Sequence, residues 1–198
     1  MSSYSVVAAV SEALRSLLWE AYNEDDTLRP IVGSEEAIVL KNPTQTAQDS
    51  ASRISLWLHH ITENEFMKNQ PMERGPSHDT QRFPPLALNF SFLLTPFAAS
   101  TAAEHLLLGK AMQVFYDNAT ILLRDEASGI AEELRIIFSR LTLEELTRVW
   151  DSLREPYRLS LCYQVRVNRI DSLRVPRHAR IVERFTGFEV RGGGGETS

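Results

Sequence analysis

The chain has few residues with which to do chemistry. Its 198 residues include one cysteine, Cys162, so no internal disulfide can form, as expected of a chain folded in a reducing cytoplasm. Gly33, Gly75, Gly109 and Gly129 stand alone, and the run Gly192–Gly195 has neither a following helix nor a lysine, which excludes a phosphate-cradling loop. No apolar run is long enough to span a bilayer, and Glu12 and Arg15 interrupt the first apolar pattern. Neither a membrane partner nor a secretory leader is expected, so any export needs another route, such as release of an assembled particle by lysis.

Metal and catalytic constellations are equally scarce. His59 and His60 are adjacent in a strand pattern and should point to opposite faces, while His78, His105 and His178 stand alone without a cysteine or carboxylate at ligand spacing. Cys162 falls mid-strand, away from the helix N-termini and electropositive turns where thiolates are stabilised. The acids Asp25–Asp26, Glu132–Glu133 and Glu144–Glu145 come as neighbours, so none is set across a cleft from another. The sequence predicts no catalytic, cofactor-binding or metal-ligating residue. A small hydrolase or metal enzyme using the loop Glu63–Pro85, with His78, is the alternative from that class.

What is present is architecture. Hydrophobic content of 43% and charge of 24% are ordinary globular values, enough for one substantial core. The net charge of −5 is uneven: Arg154–Ser198 carries nine arginines against five acids, leaving −9 on the first 153 residues. An acidic body with a basic C-terminal part excludes generic nucleic-acid binding and suits a tail that meets an acidic neighbour.

The patterns run in a definite order. Ser3 is placed to cap a helix through about Ala21 with the stripe Val6, Val7, Val10, Leu14, Leu17 and Leu18. A short strand is predicted around Ala37–Leu40, a loop over Asn42–Ser50, and a strand from Ile54 to about Ile61, followed by the long proline-bearing loop Glu63–Pro85. Alternation resumes in Leu86, Leu88, Phe90, Phe92 and Leu94. Thr101 and Glu104 have capping-box spacing ahead of the helical stripe Ala103, Leu107, Ala111, Val114 and Phe115. Leu134, Ile136 and Phe138 mark another strand, and Thr142 with Glu145 a second capping box, on a helix whose Trp150 shares a face with Leu143, Leu146 and Leu153. Pro156 stops that helix. A long strand over Arg158–Ile170 then puts Leu159, Leu161, Tyr163, Val165 and Val167 on one face. An extended piece over Ile181–Val190 is a further candidate. This order predicts an α+β fold, a single mixed β-sheet with helices packed mainly on one face. The other face, with Asn89, Ser91, Gln164, Arg166 and Asn168, is left for water or a neighbouring subunit.

Four segments in fixed order, YSVVAAVSEALRSLL (Tyr4–Leu18), PPLALNFSFLLTPFA (Pro84–Ala98), EHLLLGKAMQVFYDNATIL (Glu104–Leu122) and LTLEELTRVWDSLREPYRLSLCYQVRV (Leu141–Val167), carry a resemblance. Together they resemble the cap, or tail-terminator, proteins of extracellular contractile injection systems, the phage-tail-like particles of antifeeding-prophage type, over most of Tyr4–Asp171. The resemblance implies a structural subunit, without cofactor or active site, of a ring that closes the distal end of a polymerised tube and sheath. It implies a homo-oligomer, a hexameric ring, whose partners are the inner tube protein and the sheath protein. Within such particles a baseplate or tube-adaptor ring is the alternative.

The chain then divides into a cap domain over residues 1–172, a C-terminal docking arm over 173–191 and a flexible tail over 192–198. The candidate interface residues are Trp57, Arg166, Arg174, Arg177, Arg180, Arg184 and Phe185. Trp57 lies opposite Ile54, Leu56 and Leu58, as an interface aromatic or buried beneath the long loop. The arginine series fits either a solvated face or an arm that docks on a neighbour. Gly109, inside a helix at a cost of about 1 kcal/mol relative to alanine, reads as close helix–sheet packing or a contact with another subunit.

Overall fold

Strict alternation in β5 (Leu86–Pro96) and β8 (Leu161–Ile170) lays Phe90, Phe92 and Leu94 beside Val165, Tyr163 and Leu161, strand against antiparallel strand. The computed structural model describes residues 5–64, 73–74, 81–82, 86–124 and 131–170. Around that pair stand β1 (Ile38–Val39), β2 (Ile54–Glu63), β6 (Thr120–Arg124) and β7 (Ala131–Phe138). They form one six-stranded mixed sheet in the order β1-β2-β5-β8-β7-β6, in which only the β1–β2 pair is parallel. A two-stranded ribbon, β3 (Glu73–Arg74) and β4 (Gln81–Arg82), lies within the expected long loop and belongs to a second contact unit.

Helix α1 (Val6–Glu24) buries Val6, Val10, Leu14, Leu18 and Tyr22, a repeat of four that forms one stripe. It runs one turn past the expected Ala21, because Tyr22 donates its hydroxyl to the Leu107 carbonyl at 2.9 Å and ties it to α4 (Thr101–Asp117). Both helices pack on the sheet face that carries Ile54, Leu56, Phe90, Phe92, Leu134, Val165 and Val167. This is the expected α+β arrangement.

Several local expectations are corrected. Asn42–Ser50 is not all loop: Asn42 accepts the Gln45 amide at 2.8 Å and Pro43 starts α3 (Pro43–Ala47), as a proline can at a first helical position. The cap of α4 is Ser100, not Thr101. With Ser100 as the cap the third helical position is Ala103, so Glu104 makes no capping box and pairs with Arg158 at 2.9 Å instead. Leu159 precedes β8 and is exposed, and Leu143 is 65% exposed at the start of α5 (Leu143–Leu153). The capping box of α5 is present as expected, with Glu145 accepting the Thr142 amide at 2.8 Å and Thr142 accepting the Glu145 amide at 3.2 Å. Between α2 (Arg29–Val32) and the 3-10 turn Glu35–Ala37, Gly33 takes φ +82°, a conformation that favours glycine.

Candidate assembly interface

The second sheet face is divided. Under α5 lies a smaller core of Leu93, Trp150 and Cys162, with Trp57, Leu146, Val149 and Leu153 packed against it. Trp57 is therefore half-buried at the edge of this core. Beyond α5 the face is polar. Asn89, Ser91, Gln164 and Arg166 lie there half-exposed, with exposed Arg135 beside them on β7. Arg166 thus sits where the alternation put it. Asn168 has no described side chain, and Arg174, Arg177, Arg180, Arg184, Phe185, the arm 173–191 and the tail lie outside the described residues.

A bulge overturns the histidine geometry. The β2–β5 register slips between Leu58 and His60, so His59 is the extra residue. The two imidazoles stack at 6.5 Å rather than pointing to opposite faces. His59 Nε2 lies 3.7 Å from Cys162 Sγ, a contact spanning 103 residues that no sequence spacing could reveal. This pair does not make a nucleophile. Burial pushes the Cys162 thiol up to about 11, so it stays protonated near neutrality. Burial, and then the neighbouring His60, push His59 below its ordinary value, so it stays neutral and offers no positive charge to a thiolate. Among the described residues no group of three or more histidines, cysteines or carboxylates comes together in a way that could hold a metal. None of their helices is long and apolar enough to cross a membrane.

Helix α4 has a second apolar stripe facing outward. Leu106 is 51% exposed, Met112 46% and Tyr116 84%. Gly109 belongs to this outer face: it is exposed, and an added Cβ would meet nothing within 4 Å. Close helix–sheet packing is therefore not the reason for this glycine. At the edge of the stripe Lys110 lies 3.8 Å from Asp25, and the exposed Asp117 ends the helix. Beside it a cavity of about 460 Å³ is lined by Met112, Tyr116, Ile136, Phe138 and Tyr163. Exposed apolar and aromatic surface of this kind is the composition of interface centres.

The family is now decided by comparison. Residues 9–184 match the family model of the Pvc16 N-terminal domain. The chain belongs to the Pvc16 N-terminal domain family. Among curated proteins nothing matches it. Solved structures share its fold, among them these two. One is the sheath/tube terminator, in the extended state, of an extracellular contractile injection system, PVC; it is 20% identical with a TM-score of 0.58, over 97% of this chain and 64% of that one. The other is the anti-feeding prophage cap, a tube-terminating cap, 18% identical with a TM-score of 0.55, over 91% of this chain and 60% of that one. The chain thus spans less than two thirds of the length of either, and this Pvc16 domain is a counterpart of only part of each.

Proposed function

We propose that this chain is a structural cap, or tail-terminator, subunit that closes the distal end of the tube and sheath of a contractile injection particle and stops polymerisation. The observation that carries the reading is the fold match over 97% of the chain to a protein described as a sheath/tube terminator. The outward stripe of α4 adds to it, being a surface suited to another protein. The subunit acts as a homo-hexameric ring on the inner tube and sheath, with the arm over 173–191 docking on a neighbour through Arg174, Arg177, Arg180, Arg184 and Phe185. Ring closure needs a head-to-tail contact whose rotation returns to the first copy. The protein works by occupying the last ring, not by catalysis, and the protonated Cys162 beside a neutral His59 fits that role. It assembles in the cytoplasm and leaves as part of the extracellular particle. A baseplate or adaptor ring has no comparable support.

The test is end-specific binding. Gold-labelled full-length protein, added to particles assembled without it, should mark one end of each particle, the end away from the baseplate. Label at the baseplate, along the shaft or nowhere would contradict the reading.

A further inference from the structure

Two pairs of like-charged side chains, of opposite sign, stand close together among the described residues. On β7 and β8, Arg135 and Arg166 are direct cross-strand partners. Like charges so placed, with Cβ atoms about 4.5–5.5 Å apart, repel and destabilise a sheet. Arg135 has an exposed bond to Glu133 at 2.9 Å, whereas Arg166 meets no carboxylate among the described residues and reaches Gln164 Oε1 at 3.4 Å. Opposite Arg166 on β5, Asn89 keeps a buried Oδ1 with no hydrogen-bond partner. The second pair is on α1, where Glu20 and Glu24 are four residues apart and both exposed. At that spacing their Cβ atoms lie about 5–6 Å apart on one helix face and repel. They also stand at the helix C-terminus, where the macrodipole disfavours negative charge, and no basic residue occupies the last turn.

The placement of the pairs selects the partner. Helix α1 packs on the sheet face built around Phe90, Phe92 and Val165, while Arg135 and Arg166 project from the opposite face. One chain therefore carries a two-carboxylate surface and a two-guanidinium surface on opposite sides of its sheet. Such surfaces cannot meet within a subunit, and a head-to-tail contact between successive copies is the arrangement that would bring them together.

We infer that the Glu20–Glu24 face of α1 in one copy docks on the Arg135–Arg166 pair of the next, two carboxylates against two guanidiniums, as a contact between second copies of this chain. Charge-assisted, paired hydrogen bonds of this type fix orientation as well as affinity. The inference rests on the cap reading for its closed ring.

The experiment is sedimentation velocity of the full chain over rising concentration, at about 30 mM and about 500 mM salt, where screening lengths differ severalfold. Wild-type protein should self-associate, and less so at high salt. R135E with R166E, or E20K with E24K, should weaken association about tenfold or more, and the chain carrying all four should regain it. Neutral variants, R135Q with R166Q or E20Q with E24Q, guard against misfolding. Each should weaken association while leaving the monomer's thermal midpoint unchanged or raised, because each removes a repulsion. The inference is overturned by a wild type that stays monomeric at low salt, by association indifferent to both reversals, or by a fourfold variant no better than its parents. Gold labelling of particle ends by the wild type separates the two ideas. End binding without self-association contradicts only this contact; absence of end binding contradicts the cap reading.

Discussion

Replacing Trp150 with alanine is expected to cost about 3–5 kcal/mol of stability, the range for deleting a large buried aromatic. Trp150 is 1% exposed and is the one fully buried side chain of α5. It fills the small core with Leu93 and Cys162 and meets Tyr157 edge-on at a centroid distance of 6.3 Å. An isolated helix of 11 residues is marginal in water, so the capping box cannot hold α5 without this anchor. Trp150→Ala should therefore release α5 and expose Leu93 and Cys162. Urea unfolding followed by far-ultraviolet circular dichroism measures the cost. A loss below about 1 kcal/mol would show that α5 is anchored elsewhere. Leu143→Ala in the same helix, at a 65% exposed position, should change stability by no more than about 0.5 kcal/mol.

Truncation after Ser172 is expected to leave a folded domain that no longer docks. Among the described residues both cores, that of Phe90, Phe92 and Val165 and that of Leu93, Trp150 and Cys162, are built from residues up to Val167. The truncated chain should keep its cooperative thermal transition, while its occupancy of particle ends falls about tenfold or more if the segment is an arm. R177E, R180E and R184E together should weaken docking without unfolding, since exposed charges contribute only about 0–1 kcal/mol per pair. A truncated protein that aggregates or unfolds would make the segment part of the core.

The sheet's interior was legible because period-two alternation is a direct image of one buried face. Phe90, Phe92 and Leu94, with Tyr163, Val165 and Val167, announce both the strands and their inward side. The second face was not legible to the same degree. Its core joins Leu93, Trp150 and Cys162, which are far apart in sequence, and a single inward tryptophan on a mostly polar helix does not say which sheet face it will cover. β6 escaped notice because Ile121, Leu122 and Leu123 run without alternation. The bulge at His59 was invisible, since register depends on the partner strand and not on the strand's own pattern. Asn42–Pro43 read as a loop although it caps a helix, because the same dipeptide serves both. Gly109 could be singled out from sequence, but only its open surroundings show that close helix–sheet packing is not its reason. Of the candidate interface, Trp57 and Arg166 could be placed on the second face; the arginines of the arm lie outside the described residues.

The most direct measurement is the length distribution, by electron microscopy, of particles assembled with and without this protein, together with a reconstruction of the distal end. The account predicts tubes or sheaths of uncontrolled length, or unstable particles, when it is missing, and a sixfold ring at the distal end when it is present. Particles of normal length and stability in its absence, or a distal end without it, would contradict the account.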